Sequence, residues 1–246
     1  MGLELPQSAK WNEVNINAKL LCIIAMTSGR AFVSPELCRD EIHLDASINF
    51  TKNLIIAVYV YWLAARTEPV TLLLEDVQQA LTYIEGQFTS TLLQNMKKLD
   101  SFIREIKIVI PLSANFYLRK VVKLFQLPNG QTIPEGMFIE VPSIGINEDP
   151  EIFPIPDVFD ALRFDKLRED KDQLVEVVSQ AQSESVGTTH LTFSYGKHAC
   201  PGRDFTVNEI KMIVANLFCH YDIKSPDGVN GRYQNLALAT RVFPTL

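Results

Sequence analysis

The sequence predicts an α+β protein, mostly α, with small antiparallel sheets in its second half. Three observations carry that expectation. Apolar residues recur at helical spacing through most of the chain as far as Ile110. Beyond Pro111 the pattern turns to short β-prone runs with two turn signals in quick succession. Further on, a glycine-bracketed loop around Cys200 leads directly into another apolar-periodic helix.

The first helix is expected from Val14 to Met26, where Val14, Ile16, Leu20, Leu21, Ile23 and Ile24 fit one buried face. Ser28-Gly29-Arg30 is expected to break it. Ser34-Pro35-Glu36 reads as a helix start, with proline at the first helical position. A longer helix follows over Ala46–Ala65. Its apolar run Leu54–Ala65 is short of the ~20 residues needed to cross a bilayer, so it reads as a buried helix. Arg66–Val70 is a seam, too short for a helix of its own. Leu72–Ile84 and Thr89–Ile110 then carry helical patterns.

Tyr117–Phe125 is strand-like. Pro128-Asn129-Gly130 reads as a hairpin turn, because Asn-Gly accepts the positive φ such turns need. Pro134-Glu135-Gly136 is a second turn, leading into Phe138–Pro142 and closing a small antiparallel sheet. Prolines at 150, 154 and 156 mark a meander from Asp149 to Asp160, and the Ser/Gln-rich stretch Asp165–Gly187 reads as an exposed loop with one short helix. The last helix is expected from about Asn208 to His220, followed by a turn at Ser225–Gly228 and a hairpin ending near Phe243. The organisation this suggests is a helical fragment over 1–70 and a region carrying the cysteine loop over 71–246.

Composition excludes several classes. A net charge of -6, with no basic stripe alternating with aromatics, argues against a nucleic-acid partner. Cys22, Cys38, Cys200 and Cys219 lie far apart without a CxxC pair, which suits a reducing compartment and rules out a zinc knuckle. Met1–Lys10 has no apolar core, so no secretory signal is read there.

The chemistry concentrates in Phe193-Ser194-Tyr195-Gly196-Lys197-His198-Ala199-Cys200-Pro201-Gly202-Arg203. A lone cysteine in a β-to-α turn is commonly inert core. Here Lys197, His198 and Arg203 surround it with cations, which favour the thiolate form that binds metals. The start of the following helix adds partial positive charge. Glycines let backbone N–H groups turn toward the sulfur and tune a bound iron.

This loop resembles the haem-ligand signature Phe-x-x-Gly-x-x-x-Cys-x-Gly of the cytochrome P450 superfamily, and Phe193, Gly196, Cys200 and Gly202 match its fixed positions. The phrases AMTSGRAFVSPELCRDE and LLQNMKKLDSFIRE are similar to fungal members of secondary metabolism. The resemblance implies a partial cytochrome P450 fold, made of the proximal half with small antiparallel sheets. It implies haem b with Cys200 as iron ligand, Phe193 beside the sulfur and His198 on a propionate. The implied activity is haem-thiolate monooxygenation of a hydrophobic small molecule, terpenoid or other secondary metabolite, with electrons from an NADPH-dependent cytochrome P450 reductase. The implied place is the cytoplasmic side, peripheral to the endoplasmic reticulum.

The same resemblance sets out departures. Arg163, in PDVFDALRF, matches an arginine that locks onto the glutamate of a Glu-x-x-Arg motif, here Glu105, but the motif's own arginine is replaced by Ile108. A buried Glu105 would then be underpaired, with Arg163 or Lys107 as substitutes and Ile108→Arg expected to raise the melting temperature. The acid–threonine phrase of the family's distal helix is absent, Gly86–Thr89 and Gly187–Thr189 being the nearest, so no catalytic residue is assigned. Trp62 to Arg66 matches a propionate clamp in letters, although a helix-end arginine is the better reading. The family's N-terminal part and the tract between the phrases flanking Arg66–Val70 are expected to be missing. Beside the oxygenase stand two other readings, a non-catalytic remnant or interaction protein, and a fragment from an incomplete gene model.

Overall fold

The structure is a computed structural model that describes residues 10–32, 67–82, 89–109, 115–222, 235–238 and 241–244, with Leu5, Ser8, Glu36 and Pro111. The expected helix start at Ser34-Pro35, the Ala46–Ala65 helix with Trp62, and the Ser225–Gly228 turn lie outside the described residues. The chain forms two compact units, Met1–Thr71 with His220–Arg232, and Leu72–Cys219 with Tyr233–Leu246.

In the first unit, helix α1 spans Ile16–Phe32 and buries Leu20, Ile23, Ile24 and Ala25. It does not stop at Ser28-Gly29-Arg30 as the sequence suggests. Glycine inside a helix costs roughly 0.5–1 kcal/mol relative to alanine, and the buried face outweighs that. Within it the Thr27 hydroxyl donates to the Ile23 carbonyl at 2.7 Å.

Helix α2, Thr67–Thr82, incorporates most of the expected seam. Pro69 is tolerated because it falls in the first turn, where backbone N–H groups have no intrahelical acceptor. Leu73, Val77 and Ala80 form its buried stripe in the second unit. The expected helix over Thr89–Ile110 is in fact two: α3, Ser90–Asn95, capped by the Thr89 hydroxyl, and α4, Lys97–Val109. They part at Met96, whose ψ of 70 leaves helical space. The break frees the first N–H groups of α4, and Asp76 on α2 accepts one of them, from Leu99, at 3.1 Å.

Every residue of α4 from Leu99 to Ile108 is buried, including Asp100, Arg104, Glu105 and Lys107. A helix enclosed on all sides must find partners for those charges, and they organise what surrounds it.

Strand β1, Asn115–Lys120, pairs antiparallel with β4, Phe138–Pro142, with a bulge between Phe116 and Arg119. The strand expected over Tyr117–Phe125 is therefore interrupted. The chain turns after Lys120 and resumes as β2, Phe125–Gln126, paired with β3, Thr132–Ile133. Gly130 and Gly136 take φ of 87 in the two turns. Short α5, Ser143–Asn147, packs against α4 and β1.

Helix α6, Arg163–Glu169, packs on α4, and α7 covers Val175–Ser179. The stretch Asp165–Gly187 is thus more structured than an exposed loop, and Asp165, Ala181 and Ser183 are buried. Helix α8, Arg203–His220, starts earlier than the sequence suggests, directly behind the cysteine loop. Its first turn is anchored by Thr206, whose N–H and hydroxyl both donate to the Gly202 carbonyl. Strands β5, Asn235–Leu238, and β6, Arg241–Pro244, form the closing hairpin.

Candidate functional site

The loop from Phe193 to Arg203 is fixed by its own backbone. Phe193 is buried, and its carbonyl accepts the Cys200 N–H at 2.8 Å. Between them Gly196–His198 form one 3₁₀ turn, closed by Ala199 N–H donating to the Gly196 carbonyl at 3.0 Å. Ser194 and Gly196 hold positive φ, 62 and 68. Glycine takes that conformation freely, whereas a serine needs support. It comes from β1, where Arg119 donates to the Ser194 hydroxyl at 2.9 Å. Beyond the cysteine, Arg203 donates to the Cys200 carbonyl at 3.1 Å. Cys200 is free and half-buried at the entry to α8. Lys197 and His198 are exposed.

The second predicted constellation is the Glu105–Arg163 pair. Arg163 donates Nε to Glu105 Oε2 at 2.9 Å and Nη2 to Oε1 at 3.2 Å, a two-pronged ion pair. Asp160 N–H adds a third bond to Glu105 at 3.0 Å. The same guanidinium reaches the carbonyls of Pro154, Ile155 and Val158, binding the meander to α4. Burial raises the Glu105 carboxyl above its ordinary range, with Arg163 opposing. Glu105 is not underpaired, because the Arg163 fork and the Asp160 N–H together satisfy it. Ile108 is free to be apolar and packs with Phe153, Phe164 and Ala181.

The other charges on α4 serve different partners, among them Lys107, which the sequence offers as a substitute for the missing arginine. Asp100 pairs with Arg168 and with Lys211, both at 2.7 Å, and accepts the Ser183 N–H. Burial pushes its carboxyl up, but Lys211 and Arg168 outweigh that and hold it below the usual range. Arg104 donates to the Gln182 carbonyl and lies 4.5 Å from the centre of the Phe164 ring. Lys107 donates to the Ser183 carbonyl and faces the Phe193 ring, 4.8 Å from its centre. His190 is buried, and burial with Arg104 and Lys107 nearby drives its imidazole well below 6.5. A signal existed: Asp100, Arg104 and Lys107 stand at i, i+4 and i+7, one helix face.

A family model described as Cytochrome P450 matches residues 54–240. The chain belongs to the cytochrome P450 family. It is similar to Cytochrome P450 monooxygenase ATR3 of Stachybotrys chlorohalonatus, 38% identical over 218 residues, covering 86% of this chain and 45% of that protein. It is also 34% identical over 217 residues to Cytochrome P450 monooxygenase braC of Annulohypoxylon truncatum, covering 88% and 42%. A solved structure described as retinoic acid bound cyanobacterial CYP120A1 superposes with TM-score 0.57 at 22% identity, over 82% of this chain and 42% of that one. The fold is therefore a partial cytochrome P450 fold, and the chain spans less than half the length of the curated relatives it matches.

The donor set around Cys200 fits the thiolate-ligated haem of cytochromes P450. The sulfur is free and reachable. A Cβ built on Gly196 or Gly202 would meet no atom within 4 Å, so the loop leaves open space on either side of the cysteine. No helix among the described residues is long and apolar enough to cross a membrane.

Proposed function

We propose that this cytochrome P450 chain carries the thiolate-bearing part of a fungal monooxygenase that oxidises a hydrophobic small molecule, terpenoid or other secondary metabolite. The loop geometry at Cys200 carries the reading: a free cysteine held by its N–H bond to the Phe193 carbonyl, at the head of α8, between two open glycines. In this reading Cys200 ligates the iron of haem b, Phe193 packs beside the sulfur, and Gly196 and Gly202 permit close approach of the ring. His198, exposed on the 3₁₀ turn, meets a propionate. Haem b, when bound, supplies oxygen activation with electrons from an NADPH-dependent cytochrome P450 reductase.

The protein's own part is to hold the sulfur still at the head of α8, where the Arg203 side chain also grips the Cys200 carbonyl. Glu105 and Arg163 are structural in this proposal, fixing the meander under the site. The division at residue 70 into a helical fragment and a haem-loop region, and a location on the cytoplasmic face of the endoplasmic reticulum, belong to the same proposal. The fungal relatives described as monooxygenases support it.

The test is haem uptake by the purified chain, read in the reduced, carbon-monoxide-bound spectrum beside Cys200→Ala. A stoichiometric thiolate-type Soret band in wild type alone is expected. Absence of haem uptake, or the same band in both proteins, would overturn the assignment and favour a non-catalytic interaction protein.

A further inference from the structure

Lys107 on α4 faces the cysteine loop rather than the Glu105 pair. Lys107 is two residues from Glu105 in sequence, yet Glu105 takes both its side-chain bonds from Arg163. Lys107 instead donates to the Ser183 carbonyl and sets its ammonium 4.8 Å from the centre of the Phe193 ring. Only 2% of Lys107 is exposed, so this is a fixed contact rather than a surface lysine sampling many rotamers. Burial pushes the Lys107 amine well below its ordinary range, so the contact is a packed, hydrogen-bonded anchor on the ring face as much as one of charge. Phe193 in turn accepts the Cys200 N–H, so whatever fixes Phe193 also fixes the backbone of the cysteine.

We propose that Lys107 is a positioning residue for Cys200, tying α4 and Ser183 to the Phe193 ring and, through the Phe193 carbonyl, holding the cysteine backbone in place. The role of Cys200 as iron ligand rests on the reading above; the positioning itself does not.

Amide hydrogen exchange of the chain without haem separates the two. In Lys107→Met, the peptide containing the Cys200 amide is expected to exchange about tenfold faster, the loss of one buried cation–π contact. Peptides of the meander bound by Arg163 should keep their wild-type rates. Lys211→Met supplies the comparison, since that buried lysine serves Asp100 and the Leu93 carbonyl. It should lower protection broadly without singling out the Cys200 peptide. Selective acceleration in Lys107→Met alone supports the proposal. Unchanged Cys200 exchange, or the same pattern in both variants, overturns it. If Lys107→Met does not fold, Lys107→Gln, which keeps a donor for the Ser183 carbonyl but no charge over the ring, should show the same selective acceleration. Unchanged exchange there would likewise overturn the role. In the haem-loaded chain, Lys107→Met should convert part of the thiolate-type Soret band to the thiol type. Wild type that takes up no haem refutes only the iron reading, because the exchange result stands without it.

Discussion

Replacing Ile108 with arginine is expected to lower the melting temperature, the reverse of what the motif comparison alone suggests. The position lies among Phe153, Phe164 and Ala181, and the carboxylate it would seek is already gripped by Arg163. A guanidinium forced into that cluster would be buried without a partner, costing on the order of 3 kcal/mol or more. Differential scanning calorimetry reads this directly, and a raised midpoint would show that Glu105 still has room for a second arginine. Arg163→Met should be comparably damaging, about 3–5 kcal/mol, because Glu105 would remain buried and unpaired. The Arg163→Lys variant should recover only part of that loss, since an ammonium cannot present two parallel donors and still reach three carbonyls. Full recovery in urea titrations would mean that the fork geometry is irrelevant.

At the scale of elements, α4 is the axle, and Asp100 is where α6 and α8 attach to it through Arg168 and Lys211. Because the folded carboxyl sits below its ordinary value, the unfolded chain takes up its proton first as pH falls. The stabilisation is therefore complete above the unfolded value of about 3.9 and is lost as pH drops through the lower folded value. Asp100→Asn should destabilise the protein at neutral pH, leaving two buried cations with a neutral partner. Its urea midpoint should also fall less steeply on acidification than that of wild type. Parallel acid limbs in the two proteins would remove Asp100 from this role. The hydrogen bond from Leu99 to Asp76 ties α2 to the same end of the axle, one residue before Asp100.

For the second unit, the buried His190 predicts a pH dependence in the range where cells live. Burial first, then Arg104 and Lys107, keep it neutral in the folded state, whereas the unfolded chain can protonate it. A depressed folded value gives stability that is present above the unfolded value of about 6.5 and lost as pH falls below it. Melting temperature should therefore decline between about pH 7.5 and 5.5, and His190→Gln should flatten that slope. An equal slope in the variant would show that other groups set it.

The sequence by itself determined the α+β class, the Asn-Gly hairpin turn and the cytochrome P450 relationship, because each rests on local pattern. Apolar period selects helix or strand, glycine marks positive φ, and a loop motif is contiguous. It paired Glu105 with Arg163 but could not say that Arg163, with the Asp160 N–H, would satisfy the carboxylate. That depends on residues far apart in sequence meeting across α4 and the meander. The same limit hid the place of Lys107, which the sequence offers as a substitute partner for Glu105 and which meets the Phe193 ring instead. Helix ends were also misjudged, at Gly29, Met96 and Arg203, where burial or a distant cap outweighed local propensity. Tertiary structure decided these points because a buried charge is stabilised or ruined by partners that only the fold supplies.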